Sequence, residues 1–466
     1  MFEKNDILKN LKAVYFIGIG GIGMSALALL FREYGFTVAG YDKTPSRITD
    51  KLQEKGISVH FDDNPDLIPE KILSEIPEYV LTVFTPAIPE NHSELNYFKK
   101  HGYTILKRAE VLGIISSGKK TAAVAGTHGK TSVSVVIAHI FKYARKNMNA
   151  VLGGISKNYD SNLILSTNPR NAEFIVTEAD EYDRSFLYLN PHTAVITSVD
   201  EDHLDIYRNY EDIKQTFEQF ISKINENGNL LIKKNLNLKT SFFKGRIFTY
   251  SFNEEADYYP VNIKTGTLKS RFDIITPGKK ISDITINIPG KINIENVVAA
   301  AAVADIYGIK HTQIKNALET WSGVKRRFEY IVNKPDSVYI DDYAHHPEEL
   351  SAFIASVKDI FPDKQIVIFF QPHLYSRTRD FANDFAKSLN ICDEVFITEI
   401  YPAREKPLPG VSSKIIFDKL TCNKKHLIKK EDIPKYVKKR KNTVYLTTGA
   451  GDIDRCTNKI KEILLK

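Results

Sequence analysis

The segment Gly126-Thr127-His128-Gly129-Lys130-Thr131 constrains this chain more than any other. It follows a short apolar run, Thr121 to Ala125, that reads as a buried strand, and it precedes a helical stretch. A phosphate demands close backbone approach, which glycine permits, and several N–H groups aimed at its oxygens. In that geometry Lys130 lies on the β- and γ-phosphates and the Thr131 hydroxyl on Mg2+, while the helix N-terminus adds a favourable dipole. The two glycines stand three positions apart, against about five in the usual loop. A tight turn with a chance lysine is the bland alternative, and the strand–turn–helix setting argues against it.

A second glycine loop, Gly18-Ile19-Gly20-Gly21-Ile22-Gly23, lies between a strand at Ala13 to Ile17 and a helix at Met24 to Tyr34. Asp42 ends the next strand, Thr37 to Tyr41, about 20 residues on, as in a dinucleotide fingerprint. The same geometry holds any pyrophosphate, so the loop indicates a diphosphate-bearing nucleotide without naming it. An NAD-dependent oxidoreductase would account for this loop and Asp42, yet it leaves Gly126 to Thr131 without a purpose.

Two acidic clusters follow strands. Thr177-Glu178-Ala179-Asp180-Glu181-Tyr182-Asp183 comes after a run at Glu173 to Thr177, and Asp200-Glu201-Asp202-His203 after one at Ala194 to Ser198. Alone, either reads as a solvated loop. At the carboxyl ends of parallel strands beside a phosphate loop, Glu178 reads as an Mg2+ ligand and His203 as a ligand of a second metal. Between 257 and 288 the pattern changes to short runs broken by Thr265-Gly266 and Pro277-Gly278, which reads as antiparallel hairpins on the same domain. Val297 to Ile306 is an Ala-rich helix.

The α/β rhythm then resumes, with strands at Val338 to Ile340, Ile366 to Phe370, Val395 to Thr398 and Thr443 to Leu446. Another strand is read at Val80 to Phe84, and Ser116 to Lys120 as a linker. Asp341 to Pro347, containing His345 and His346, follows one of these strands; Gln371-Pro372-His373 and Ser376 to Arg379 follow the next. Adjacent histidines point in different directions, so at most one faces a given ligand. Arginine suits a carboxylate because its planar fork binds both oxygens. Arg326 and Arg327 precede this unit, where they can stabilise phosphate charge.

Length and charge bound the reading. A chain of 466 residues exceeds a single core, so two or three domains are expected. The 42% hydrophobic and 26% charged shares are those of a soluble globular protein. Three scattered cysteines form no disulfide framework or metal pattern, which favours a reducing compartment. No run approaches the roughly 20 apolar residues that span a bilayer, and Met1 to Lys12 lacks the features of a secretory signal. The expectation is a cytoplasmic protein without a membrane partner. The net charge of +7 comes from lysine interspersed with acids, so nucleic acid is not expected as a partner. The block Lys435 to Lys441 reads as a solvated helix face.

With these residues assembled, the chain resembles the Mur ligases over nearly its whole length. The resemblance rests on Gly18 to Ser25, Arg108-Ala109-Glu110, Gly126 to Thr131, Glu178 to Asp183 and Asp202-His203. It continues through Asn293, Asn296, Lys325 to Phe328, Asp341 to Pro347 and Gln371 to Asp380. It departs at Tyr182, where many relatives carry a small residue, and at Ile292, where a histidine is common.

The resemblance implies an α/β chain of three domains: 1–118, Rossmann-like and binding a UDP-sugar; 119–325, ATPase-like with a small antiparallel sheet; and 326–466, Rossmann-like and binding the amino acid. It implies ATP-dependent ligation of L-alanine to the lactyl carboxylate of UDP-N-acetylmuramate through an acyl phosphate, with domain closure excluding water. A muropeptide-recycling ligase is the neighbouring alternative, disfavoured by Gln371-Pro372-His373 followed by Arg377. By the same resemblance Gly20, Gly21, Ile22, Gly23, Met24, Ser25, Asp42 and Arg108 bind the UDP-sugar. Gly126 to Ser132, Asn293, Asn296, Arg327 and Asp342 bind ATP. Thr131, Glu178 and His203 hold Mg2+. Lys130, His203, Arg326, His346 and Arg377 serve catalysis, with His203 and His346 both open as the base. His345, His373, Arg377 and Arg379 form the neighbourhood of the amino acid. A monomer or weak homodimer is expected.

Overall fold

The computed structural model describes residues 7–201, 206–403 and 405–466. They form two compact units. The first unit comprises residues up to 262, 272–284 and 295–321; the second comprises 263–271, 285–294 and 322–466.

The first unit holds two sheets. One contains β1 (Ala13–Ile17), β2 (Thr37–Tyr41), β3 (Ser58–His60), β4 (Val80–Phe84) and β5 (Thr104–Lys107), ordered β3-β2-β1-β4-β5. All of its pairs are parallel. Such a sheet needs apolar cover on both faces, and β1 supplies it with five buried residues. Val14 and Phe16 join one core with the helix Ile22–Glu33, while Ala13, Tyr15 and Ile17 join the opposite one. The chain order reverses between β1 and β4, so the loop after β1 lies at the switch point where ligands bind such sheets.

The other sheet contains β6 (Lys120–Ala125), β7 (Met148–Ser156), β8 (Ser161–Ile164), β9 (Phe174–Glu178), β10 (Thr193–Ile196), β11 (Asn229–Lys233) and β12 (Arg246–Tyr250), ordered β12-β11-β10-β6-β9-β7-β8. Only β8 runs antiparallel among the pairs of this sheet. Strand β6 is central, flanked by β9 and β10, so the loops after all three emerge side by side. A single apolar core continues from the first sheet into the second, through residues such as Leu27, Leu112, Ile175 and Phe186. The linker read at Ser116 to Lys120 shrinks to three residues, because the helix Arg108–Ser116 and β6 claim its ends.

A small sheet, β13 (Tyr259–Thr265), β14 (Ser270–Ile275) and β15 (Ile281–Ile286), turns at the two glycine sites that the sequence marks. Part of this segment groups with the second unit. Tyr330 donates its hydroxyl to the Thr267 carbonyl at 2.7 Å, which ties that part to the second unit.

The second unit contains β16 (Glu329–Lys334), β17 (Ser337–Asp342), β18 (Gln365–Phe370), β19 (Glu394–Ile397), β20 (Lys425–Leu427) and β21 (Thr443–Thr448), ordered β16-β17-β21-β18-β19-β20. Its strands are parallel except β16. Lys435 to Lys441 is not a helix face: the helix covers Ile433–Tyr436 and ends at Val437, which turns extended. Val437 is buried, the Lys438 carbonyl accepts from Tyr445, and Arg440 pairs with Glu394 at 2.6 Å. Those anchors hold the run as non-helical chain beyond Tyr436.

Beneath the first sheet, Tyr15 donates to Glu94 Oε2 at 2.7 Å and approaches His60 Nε2 at 2.8 Å. Burial pushes the Glu94 carboxyl up to about 7, against the opposing hydrogen bond from Tyr15. The folded protein therefore keeps this proton to about pH 7, while the unfolded chain releases it near 4.5. Raising pH across that window removes up to about 3 kcal/mol of stability. Glu94→Gln is expected to flatten the dependence, so that its urea midpoint falls less than the wild type's between about pH 5 and about pH 8.

Candidate active site

The phosphate loop follows β6 as the sequence predicts. Gly126 has φ 138°, and an added Cβ would lie 2.1 Å from Thr197 Oγ1. Gly129 has φ 84° and caps the helix Lys130–Tyr143; a Cβ there would stand 3.1 Å from Asn296 Oδ1. Both positions demand glycine. The chain after β10 supports the loop from the side. The Thr197 hydroxyl reaches the carbonyls of Ala125 and His128, and the His128 N–H donates to Ser198 Oγ at 2.8 Å. The Thr127 hydroxyl donates to Asp200 Oδ2 at 2.9 Å, and Ser132 is buried in the first helical turn.

Lys130 turns back into this loop. Its ammonium donates to the Gly126 carbonyl at 2.6 Å and lies 2.8 Å from both Glu181 oxygens. Glu181 is 1% and the Lys130 side chain 16% exposed, so the pair is largely shielded from solvent. Burial opposes the lysine charge, but Glu181, Asp180 and Glu178 outweigh it and hold the ammonium above the ordinary lysine range. Next to it the Thr131 hydroxyl donates to Glu178 Oε2 at 3.2 Å. Glu178 Oε1 accepts from the Gly153 N–H at 2.7 Å. Two oxygen donors beside a phosphate loop are the chemistry a hard divalent cation selects. Gly153 escapes sequence reasoning, because its need for glycine comes from a carboxylate that the fold brings across from β9. A Cβ there would stand 2.4 Å from Glu178 Oε2.

The loop after β1 places Gly21 at the N-cap of Ile22–Glu33, with Met24 and Ser25 in the first turns. Asp42 serves the loop itself: its Oδ2 accepts from the Gly20 N–H at 2.7 Å and its Oδ1 from the Thr44 N–H at 3.1 Å. Arg108 lies over Gly23, where a Cβ would be 3.1 Å from Nη1. The same guanidinium pairs with Asp180 at 3.2 Å, which links this loop to the acidic segment after β9.

In the second unit the groups gather at the carboxyl ends of β17, β18 and β21. Arg326, in a left-handed conformation at φ 60°, donates to the carbonyls of Gly449 and Gly451 at 2.5 and 3.0 Å and to Asp341 at 3.2 Å. Burial pushes Asp341 up to about 7, with Arg326 opposing. Arg326 and Arg327 both lie over the Tyr343 ring, at 5.1 and 5.2 Å. Asp342 accepts from the Phe328 and Ala344 N–H groups at 2.7 and 2.8 Å.

His345 faces His373 with ring centroids 5.7 Å apart, whereas His346 is buried against Phe381. The adjacent histidines do point apart. Arg377 is buried, but Arg379 is exposed and pairs with its neighbour Asp380 at 2.7 Å. Asn293 donates to the Pro289 carbonyl at 2.7 Å. Asp202 and His203 lie outside the described residues.

Gly153→Ala is expected to displace the Glu178 carboxylate and weaken binding of a divalent-cation–nucleotide complex about 10- to 100-fold. Titration with a fluorescent nucleotide, with and without Mg2+, checks this; the effect should vanish without the cation.

Three family models match consecutive stretches: Mur ligase family, catalytic domain, over 13–120; Mur ligase middle domain over 124–304; and Mur ligase, glutamate ligase domain, over 326–451. The chain is 49% identical over 460 residues to the UDP-N-acetylmuramate–L-alanine ligase of Parabacteroides distasonis, covering 98% of each. It is 46% identical over 457 residues to the enzyme of that name from Porphyromonas gingivalis strain W83, covering 97% and 99%. Among solved structures, the UDP-N-acetylmuramate-alanine ligase of Thermotoga maritima matches with a TM-score of 0.81 at 27% identity, over 97% of this chain and 98% of that one. A murein peptide ligase from Psychrobacter arcticus shares the fold at a TM-score of 0.70 and 20% identity, over 97% and 98%. With three domains in this order and a relative this similar from end to end, the chain belongs to the Mur ligase family.

Proposed function

We propose that this chain uses ATP to join L-alanine to the lactyl carboxylate of UDP-N-acetylmuramate. The observation that carries the reading is the Lys130 ammonium, buried in a glycine loop beside the Thr131–Glu178 oxygen pair. A carboxylate oxygen of the sugar attacks the γ-phosphorus of ATP, ADP leaves, and an acyl phosphate forms. The alanine amine then adds to the activated carbonyl and loses a proton, and phosphate departs as the amide forms.

Each step sets a task for residues in place. Two anions must meet in the first, so positive charge has to be concentrated where they do. Lys130 and the loop N–H groups bind the ATP phosphates, and Arg108 with the loop Gly20 to Ser25 binds the UDP-sugar. Thr131 and Glu178 would hold Mg2+, which neutralises phosphate charge when bound. Asn296, beside Gly129 at the loop's edge, is suited to the adenosine side of ATP. Arg377 and His373 are assigned to L-alanine, the arginine fork taking its carboxylate. Arg326 keeps Gly449 and Gly451 in position by binding their carbonyls. An acyl phosphate hydrolyses readily, so the second step requires water to be excluded.

No helix among the described residues is long and apolar enough to cross a membrane. Nucleotide substrates of this kind place the reaction in the cytoplasm.

The test is phosphate release and product mass with ATP, Mg2+ and UDP-N-acetylmuramate, offering L-alanine, glycine, L-serine or a wall tripeptide. Amide formation with L-alanine is expected; preference for the tripeptide would move the chain to the recycling branch. Lys130→Ala is expected to lower kcat about 100- to 1,000-fold while leaving the far-UV circular dichroism unchanged.

A further inference from the structure

The six residues Glu178 to Asp183 put four carboxylates onto groups from the two nucleotide loops and their flanks. Glu178 bonds Thr131 at 3.2 Å, Glu181 holds Lys130 at 2.8 Å, Asp180 holds Arg108 at 3.2 Å and Asp183 holds Lys107 at 2.8 Å. Lys130 and Thr131 belong to the loop after β6, while Lys107 and Arg108 start the helix that lies over the loop after β1. One short turn therefore occupies cations that both anionic substrates need.

The turn is held together as one piece: the Arg184 N–H donates to the Glu181 carbonyl and the Phe186 N–H to the Asp180 carbonyl, each at 2.9 Å. Asp183 and Arg184 are consecutively left-handed, at φ 53° and 52°, a conformation that aspartate tolerates and that is costly for the arginine. One end is pinned, with Glu178 on the Gly153 N–H; the Asp180 side chain accepts from the Tyr182 N–H, so positions 180 to 182 are braced together. A buried ammonium needs an anion at all times. Glu181 supplies it until a phosphate does, and Glu181 must then give way.

We propose that the Glu178–Asp183 turn couples the two substrates, Asp180 acting as a positioning residue that keeps Glu181 on Lys130 until the UDP-sugar takes Arg108. Both ligands displace the same turn, and the second finds it already displaced. Their affinities are therefore mutually reinforcing, and by linkage the enhancement is the same in both directions. This inference rests on the assignment of ATP and a UDP-sugar to these loops.

The experiment is equilibrium titration of a non-hydrolysable ATP analogue with Mg2+, with and without saturating UDP-N-acetylmuramate, followed by the reciprocal titration. The wild type should show at least about fivefold tightening in both directions. Asp180→Asn should reduce it below about twofold while each ligand alone binds at least as well as before. Asp183→Asn, in which asparagine tolerates the left-handed backbone, should lower the coupling without threatening the fold. A general structural loss would weaken the individual affinities instead, and would count against the proposal. Equal coupling in wild type and Asp180→Asn, or none in the wild type, overturns this inference alone. No binding of the UDP-sugar at all would overturn the functional reading and the coupling together.

Discussion

A lysine ammonium removed from water must face an anion, and the central sheet is organised around that requirement at Lys130. Glycine at 126 and 129 lets the loop pack closely against Thr197, Ser198 and Asn296, and the Gly126 carbonyl accepts from the ammonium. The flanking strands β9 and β10 bring Glu181 and Ser198 to either side. Removing one charge of such a pair costs far more than the pair contributes, so the site is stable only when an anion is present. Glu181 meets the need in this structure, and a phosphate takes its place in the proposed reaction. Phosphoryl transfer asks for positive charge gathered where the phosphates will lie.

The same economy of space shapes the surroundings. Glu178 approaches the backbone of β7 so closely that Gly153 admits no side chain, and its carboxylate is held for Thr131 by that N–H. Asp42 is spent on shaping the first glycine loop rather than left open to solvent. In the second unit Arg326 fixes two glycine carbonyls beneath a row of aromatic rings. Strained or crowded backbone appears at each of these points, as expected where a site is set in advance of its ligand.

Much of this is legible in the amino-acid sequence. Strands β1, β2 and β4 are parallel and almost wholly buried, and each is legible as a short, mostly apolar run; β1 is unbroken and is followed by Gly18, and β2 is followed by Asp42. The phosphate loop announces itself because glycine, lysine and threonine have to be neighbours in sequence. Pairings across long separations leave no such mark. Arg108 and Asp180 lie 72 residues apart, and nothing local to either names the other. Gly153 looks like an ordinary strand glycine until Glu178 is seen against it. The basic run Lys435 to Lys441 misleads because its charges suggest helix, while the helix stops at Tyr436 and buried Val437 and the Arg440–Glu394 pair tie down the chain beyond it.

The central claim is that the charge gathered around Lys130 serves to phosphorylate a carboxylate. UDP-N-acetylmuramate labelled with 18O in its lactyl carboxylate tests it directly, through the isotope content of the inorganic phosphate released with ATP and L-alanine. Attack by the carboxylate on phosphorus predicts that one labelled oxygen passes to phosphate in each turnover. Phosphate released without label, while the amide still forms, would contradict the account.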